Sequence, residues 1–181
     1  MQIKNNRQRG KIILVALFLS LLPATCLAKN FSAEAASIKN PQALVNWLAS
    51  NFSYVMEMPD KWQTPEETVQ LKTGDCEDFA ILASAILTRL GIANDIIIVK
   101  YKGLNIAHAI CAWKDKDGFY KYISNQEMVN TRKGNLEEAI EKFHPDWENI
   151  VFTNPKGEYK KIVTRSKHRN AVPARLEAAS K

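Results

Sequence analysis

Glycine and proline are sparse, seven of each in 181 residues, which excludes collagen-like, low-complexity and wholly disordered classes. Long apolar runs are missing as well. The one candidate, Ile12 to Leu22, is interrupted by Ser20 and covers roughly half of a bilayer core at 1.5 Å per residue, too little for a permanent transmembrane helix. There is no internal repeat and no Gly/Ser linker, so the length and the 46% hydrophobic content describe one domain with material for one core. Cysteine is limited to Cys26, Cys76 and Cys111.

Acidic residues are absent from one stretch. Residues 1–28 hold Lys4, Arg7, Arg9 and Lys11 and no acid, whereas 156–181 carry eight Lys/Arg against Glu158 and Glu177. The formal net charge of +6 therefore comes from the ends, and residues 29–155 are at −4 with 13 basic and 17 acidic residues. An acidic middle without an interleaved aromatic-basic surface argues against nucleic acid as a partner. The basic start, the apolar run and the small-residue stretch Ala24 to Ala28 read as an export signal cleaved after Ala28. A lipidated Cys26 and an uncleaved N-terminal anchor are the competing readings. The expected organisation is a signal at 1–28, a domain at 29–164 and a basic, flexible tail at 165–181, with the mature protein periplasmic or secreted and no transmembrane anchor remaining. Oligomeric state is not legible.

Along the mature chain, Asn40-Pro41 predicts a helix start, and Leu44, Val45, Trp47, Leu48 and Phe52 give it an apolar face. Thr64 with Glu67 forms a capping box for a short helix. A third helix opens at Gly74-Asp75-Cys76-Glu77-Asp78 and stops at Gly91, and its apolar middle predicts burial on most sides. Strands follow over 95–101, 106–113 and 119–124, then a short helix at 136–143 and a closing hairpin from 150 to 164. Helices first and antiparallel strands second predict an α+β fold.

Cys76 carries the chemistry. In the first turn of a buried helix, unpaired amides and the helix dipole favour a thiolate and can also receive an oxyanion. A thiol nucleophile needs a base within reach. His144 and His168 read as surface residues. His108, between Ala107 and Ala109 in mid-strand, is the candidate. A four-residue hairpin loop at Asp115 to Gly118 would place Asn125 opposite His108, whereas a five-residue loop would select Ser124. Either could hold the imidazole tautomer. Strand alternation puts Cys111 on the face opposite His108, so if His108 faces Cys76, a 76–111 disulfide is not expected.

Trp62-Gln63-Thr64-Pro65-Glu66-Glu67, Gly74-Asp75-Cys76-Glu77-Asp78-Phe79-Ala80, Ala107-His108-Ala109 and Tyr122-Ile123-Ser124-Asn125 together resemble the bacterial transglutaminase-like cysteine peptidases, over roughly residues 41–130. The resemblance implies a papain-like α+β core, with the nucleophile Cys on a central helix that packs on an antiparallel sheet. It implies Cys76 as nucleophile and His108 as base. The third member is Asp in much of that family, and here only Ser124 or Asn125 is offered. Amide hydrolysis through a thioester is the implied activity, on a protein or peptide substrate in the periplasm or at the cell surface. Amide transfer and a non-catalytic scaffold with a decayed triad are the alternatives. No cofactor is required for such chemistry. Some periplasmic members process large surface adhesins and hold Ca²⁺ through acids beside the nucleophile, which by position are Asp75, Glu77 and Asp78. Helix capping is the competing role for those acids. Trp62 and Gln63 are cleft or oxyanion candidates, with a core position the alternative for Trp62.

Overall fold

A computed structural model describes residues 31–165. The expected export signal with Cys26, and His168 with the rest of the tail, lie outside the described residues. Five helices and eight strands follow in the order α1 (Phe31–Ala36), α2 (Pro41–Asn51), β1 (Ser53–Tyr54), α3 (Pro65–Leu71), β2 (Thr73–Gly74), α4 (Cys76–Arg89), β3 (Asn94–Tyr101), β4 (Ala107–Lys114), β5 (Tyr120–Ser124), β6 (Glu127–Asn130), α5 (Leu136–Phe143), β7 (Trp147–Thr153) and β8 (Tyr159–Thr164). The fold is α+β. Among the described residues, one antiparallel sheet has the order β6-β5-β4-β3-β7-β8, and a two-stranded parallel ribbon joins β1 to β2.

The caps form where the sequence puts them. Asn40 accepts from Ala43 N, and Thr64 and Glu67 complete a reciprocal box. The central strands are apolar on both faces because both faces are covered. Phe79, Ala83, Ile86 and Leu87 of α4 pack on Ala109, Cys111, Trp113 and Ile123. On the reverse face Ile97, Ile110, Ala112 and Tyr122 meet Ile140 of α5 and Trp147. Each such side chain contributes about 1.5–3 kcal/mol when fully buried, so α4 is fixed along its length and its first turn is held rigidly over the sheet.

Two features depart from expectation. The β4–β5 loop has five residues, not four: Lys114 pairs with Tyr120, and Phe119 is left over. Asp115 to Gly118 closes a turn through Gly118 N to Asp115 O at 2.9 Å, and Gly118 at φ 81° in the left-handed region adds the bulged residue. That extra residue shifts the register by one. Secondly, Arg165 is not part of a loose tail. Its guanidinium bonds Glu141 and the Pro145 and Trp147 carbonyls, pinning the end of β8 to α5.

Candidate active site

The site is built where the start of α4 meets the open end of β4. Val55 N donates to Gly74 O at 2.9 Å, so the β1–β2 ribbon fixes the approach to the helix. Gly74 is required here, since a Cβ would lie 2.8 Å from the Cβ of Asp78. Asp78 folds back as a cap: its Oδ2 accepts from Asp75 N at 3.2 Å and its Oδ1 from Gln63 N at 2.7 Å. With both oxygens holding backbone amides and the residue fully buried, Asp78 acts as a structural cap and is not a free metal ligand. Burial still raises its carboxyl to about 6, against the lowering effect of those two amides.

Cys76 is half-buried at the first helical position and shares a cavity with Ala109 of β4. The thiol donates to Glu77 Oε2 at 3.1 Å. Burial pushes the thiol up to about 12, with the Ala109 amide opposing and the Glu77 and Asp75 carboxylates adding to the rise. Burial likewise raises Glu77 to about 8, assisted by the carboxyls of Asp60 and Asp75. Burial, with the acidic neighbours adding to it, thus outweighs the helix dipole, and the resting sulfur is a protonated thiol.

His108, one residue before Ala109, uses Nε2 for a 2.8 Å hydrogen bond with Ser124 Oγ. In the shifted register Ser124 pairs with Ile110, which makes it the diagonal neighbour of His108 on the same face. The structure therefore brings Ser124, and not Asn125, to the imidazole. Asn125 is the turn residue after β5, at φ 52° with a buried Oδ1 that has no hydrogen-bond partner. Alternation also resolves the cysteines. Cys111 shares the α4 face with Ala109, while His108 shares the opposite face with Ile110 and Ala112. Cys111 therefore faces α4 and His108 faces the α5 side, contrary to the expectation that His108 would face Cys76 and Cys111 would point away; both cysteines are free nonetheless, and Cys111 donates to Asn94 Oδ1 at 3.5 Å.

His144 is the residue that sequence reasoning missed. It caps α5, and its ring lies 5.8 Å from that of His108. Its Nδ1 is 2.8 Å from Tyr101 Oη and its Nε2 is 3.4 Å from Tyr122 Oη. Strand alternation alone puts Tyr122 on the His108 face, but the docking of α5 that brings His144 there has no local signature. Burial, and then the charge of His108, lower His144 to about 4. An unfolded His titrates near 6.5, so neutral His144 supports the fold at neutral pH. That support drains as pH falls from 6.5 toward 4 and is fully lost below. Solvent reaches part of the ring, so about 1–2 kcal/mol of the wild-type loss between pH 7 and pH 4.5 is assigned to it. Urea unfolding of His144→Gln at both pH values should show a pH dependence smaller by that amount. An identical dependence would refute the assignment.

A cavity of about 380 Å³ opens over Cys76, lined also by Asp60, Trp62, Glu77, Lys100 and Ala109. Trp62 is both a cavity wall and packed on the main core, and Gly157, at φ 77°, sits against its ring, where a Cβ would come within 3.3 Å. Gln63 is turned inward, donating through Nε2 to Glu57 at 2.6 Å, and does not line the cavity, which argues against its oxyanion role. A larger hollow of about 840 Å³ lies at the other end of α4 and contains no nucleophile.

A helix-start cysteine over an antiparallel sheet with a neighbouring strand histidine defines a transglutaminase-like core. A family model described as a transglutaminase-like domain matches residues 24–142, and the chain belongs to that family. No curated protein matches the sequence. Among solved structures, the chain is similar to Legionella pneumophila LapG. The EGTA-treated form gives a TM-score of 0.46 at 17% identity over 75% of this chain and 78% of LapG. The calcium-bound form gives 0.45 at 17% over 70% and 83%. A Cytophaga hutchinsonii protein classed with the cysteine proteases gives 0.43 at 16% over 77% and 50%. No helix among the described residues is long and apolar enough to cross a membrane.

Proposed function

We propose that this protein is an exported cysteine peptidase that hydrolyses an amide bond through Cys76, His108 and Ser124. The observation that carries the reading is the closeness of both groups at one strand end: Ala109 lines the cavity over Cys76, and His108, the preceding residue, is held by Ser124 Oγ at 2.8 Å. With Nε2–H donating to Ser124 Oγ, Nδ1 is the imidazole atom left to take the thiol proton, a step that requires the ring to turn round the end of β4 from the α5 side toward Cys76. Sγ attacks the substrate carbonyl carbon as that proton moves to His108, and the first-turn amides of α4 receive the oxyanion. Collapse breaks the C–N bond, His108 protonates the leaving amine, and a thioester remains. Water, deprotonated by His108, then releases the acid and restores the thiol. Ser124 is neutral, so it orients the imidazolium without the charge stabilisation an Asp would add. The basic and apolar N-terminal sequence supports export.

Iodoacetamide at pH 6 tests the nucleophile. Cys76 should alkylate only as His108 takes its proton, so His108→Ala should slow the labelling about tenfold or more. Labelling indifferent to His108 would instead assign a non-catalytic scaffold.

The acids beside the thiol fit a hard divalent cation such as Ca²⁺. Asp75 is 6% exposed, and its Oδ1 is buried with no hydrogen-bond partner. Asp75, Glu77 and Asp60 would hold the ion, and its charge would offset the carboxylates that keep the thiol protonated. Saturating Ca²⁺ should raise Tm by about 5–10 °C, as expected for binding at a hundred times Kd. EGTA should reverse the shift, and Asp75→Asn should abolish it. No shift in the wild-type protein would exclude the site.

A further inference from the structure

We propose that the cavity over Cys76 takes an extended polypeptide whose side chains flanking the scissile bond are large and apolar, gripped between two exposed apolar rims. The inference rests on the peptidase reading and adds the class of substrate. One rim is the segment after β1: Tyr54, Val55, Met56 at 69% and Met58 at 88% exposure. The Val55–Gly74 hydrogen bond ties this rim to the strand that runs straight into Cys76. The other rim is the β3–β4 loop, where Leu104 at 58% and Ile106 at 61% exposure line the cavity itself.

Both placements run against ordinary surface chemistry. Loops favour Gly, Asn, Asp and Ser, and Lys102-Gly103 supplies the turn here, with Gly103 at φ 70°. The Leu104 and Ile106 side chains are not needed for that turn and are more than half exposed. Apolar side chains gathered around a cleft mark a binding surface. Three observations select the occupant. Leu104 and Ile106 line the cavity that contains the nucleophile, and Tyr54 of the other rim is near enough to Cys76, Asp75 and Glu77 to feel their charge, so what the rims hold must present an amide to Cys76. The cavity is near the lower limit for ligand pockets, which suits a single strand and excludes a folded surface. Its lining mixes polar Asp60, Glu77, Lys100 and Asn105 with apolar Leu104 and Ile106, which suits a polar backbone carrying apolar side chains, while Asp60 and Glu77 disfavour acidic side chains.

The test uses the purified chain carrying Cys76→Ala, so that binding is read without turnover. The probe is a fluorescein-labelled ten-residue peptide with a central Leu-Val-Met-Leu, compared by anisotropy with the same peptide carrying four central serines. The apolar peptide should bind at least about tenfold more tightly. The paired variants Met56→Ser/Met58→Ser and Leu104→Ser/Ile106→Ser should each remove most of that difference. All four positions are solvent-exposed, and an unchanged Tm confirms that the fold is kept. Equal binding of the two peptides, or rim variants that leave the preference intact, would overturn the inference. An iodoacetamide labelling rate of Cys76 in the wild-type chain that does not fall on His108→Ala faults the peptidase reading alone, because the anisotropy result stands independently of the thiol.

Discussion

Cys76→Ala is expected to eliminate amide hydrolysis, and His108→Ala to lower kcat/KM on the order of a thousandfold, because a thiol pushed up to about 12 has almost no thiolate at neutral pH. The argument is one of proton inventory. Many cysteine nucleophiles are poised by a low pKa, but here burial and the Glu77 and Asp75 carboxylates work the other way. The sulfur can therefore attack only as its proton leaves, and in the proposed mechanism that proton goes to His108, in place of the Glu77 carboxyl that the thiol meets at rest. Ser124→Ala should cost less, about tenfold, since it frees the imidazole tautomer without removing the base. The measurement compares exported proteins of cells expressing wild type, Cys76→Ala, His108→Ala and Ser124→Ala. A cleavage product that persists in the alanine variant of Cys76 would show that the thiol is not the nucleophile. Asn125→Ala should match wild type, because Asn125 is displaced from His108.

Asp78→Ala should destabilise the fold by about 2–5 kcal/mol, among the larger single-residue effects available in this chain. Its carboxylate accepts from two buried backbone amides, Gln63 N and Asp75 N, and each orphaned donor costs about 1–3 kcal/mol. The same bonds couple three parts of the site: the Trp62-Gln63 approach, the Asp75 cap and the start of α4. Loss should therefore also loosen the first turn that holds Cys76. Chemical denaturation gives the stability change. A variant within about 0.5 kcal/mol of wild type would show that the amides find other acceptors. The contrast with Asp75→Asn is informative, because Asp75 Oδ1 has no partner to lose.

The local chemistry of the site was legible along the chain. Asn40, Thr64 with Glu67, and Asp75 with Asp78 mark helix starts because short polar side chains and backbone amides satisfy one another within three residues. The near-continuous apolar run of α4 implied burial on most sides, and that is what the two-sided sheet and flanking helices supply. Cys76 stood out because a cysteine between acids at a helix start is a poor place for a packing residue. These readings depend on contacts within one turn or one strand, which sequence order encodes directly.

What lay beyond them depended on geometry accumulated over distance. A single bulged residue at Gly118 moved the β4–β5 register by one, and that decided between Ser124 and Asn125 at the imidazole. The face assignment of Cys111 followed from which side of the sheet α4 covers, which no alternation pattern reveals when both faces are apolar. His144 reaches His108 through the docking of α5, and the carboxylates around Cys76 come from segments 15 or more residues apart. By itself the sequence determined an α+β chain with a helix-start cysteine and a strand histidine, because capping and periodicity are local. Only the tertiary structure decided which side chain orients that histidine and which acids surround the sulfur, because register and packing are set by all the contacts of the sheet together.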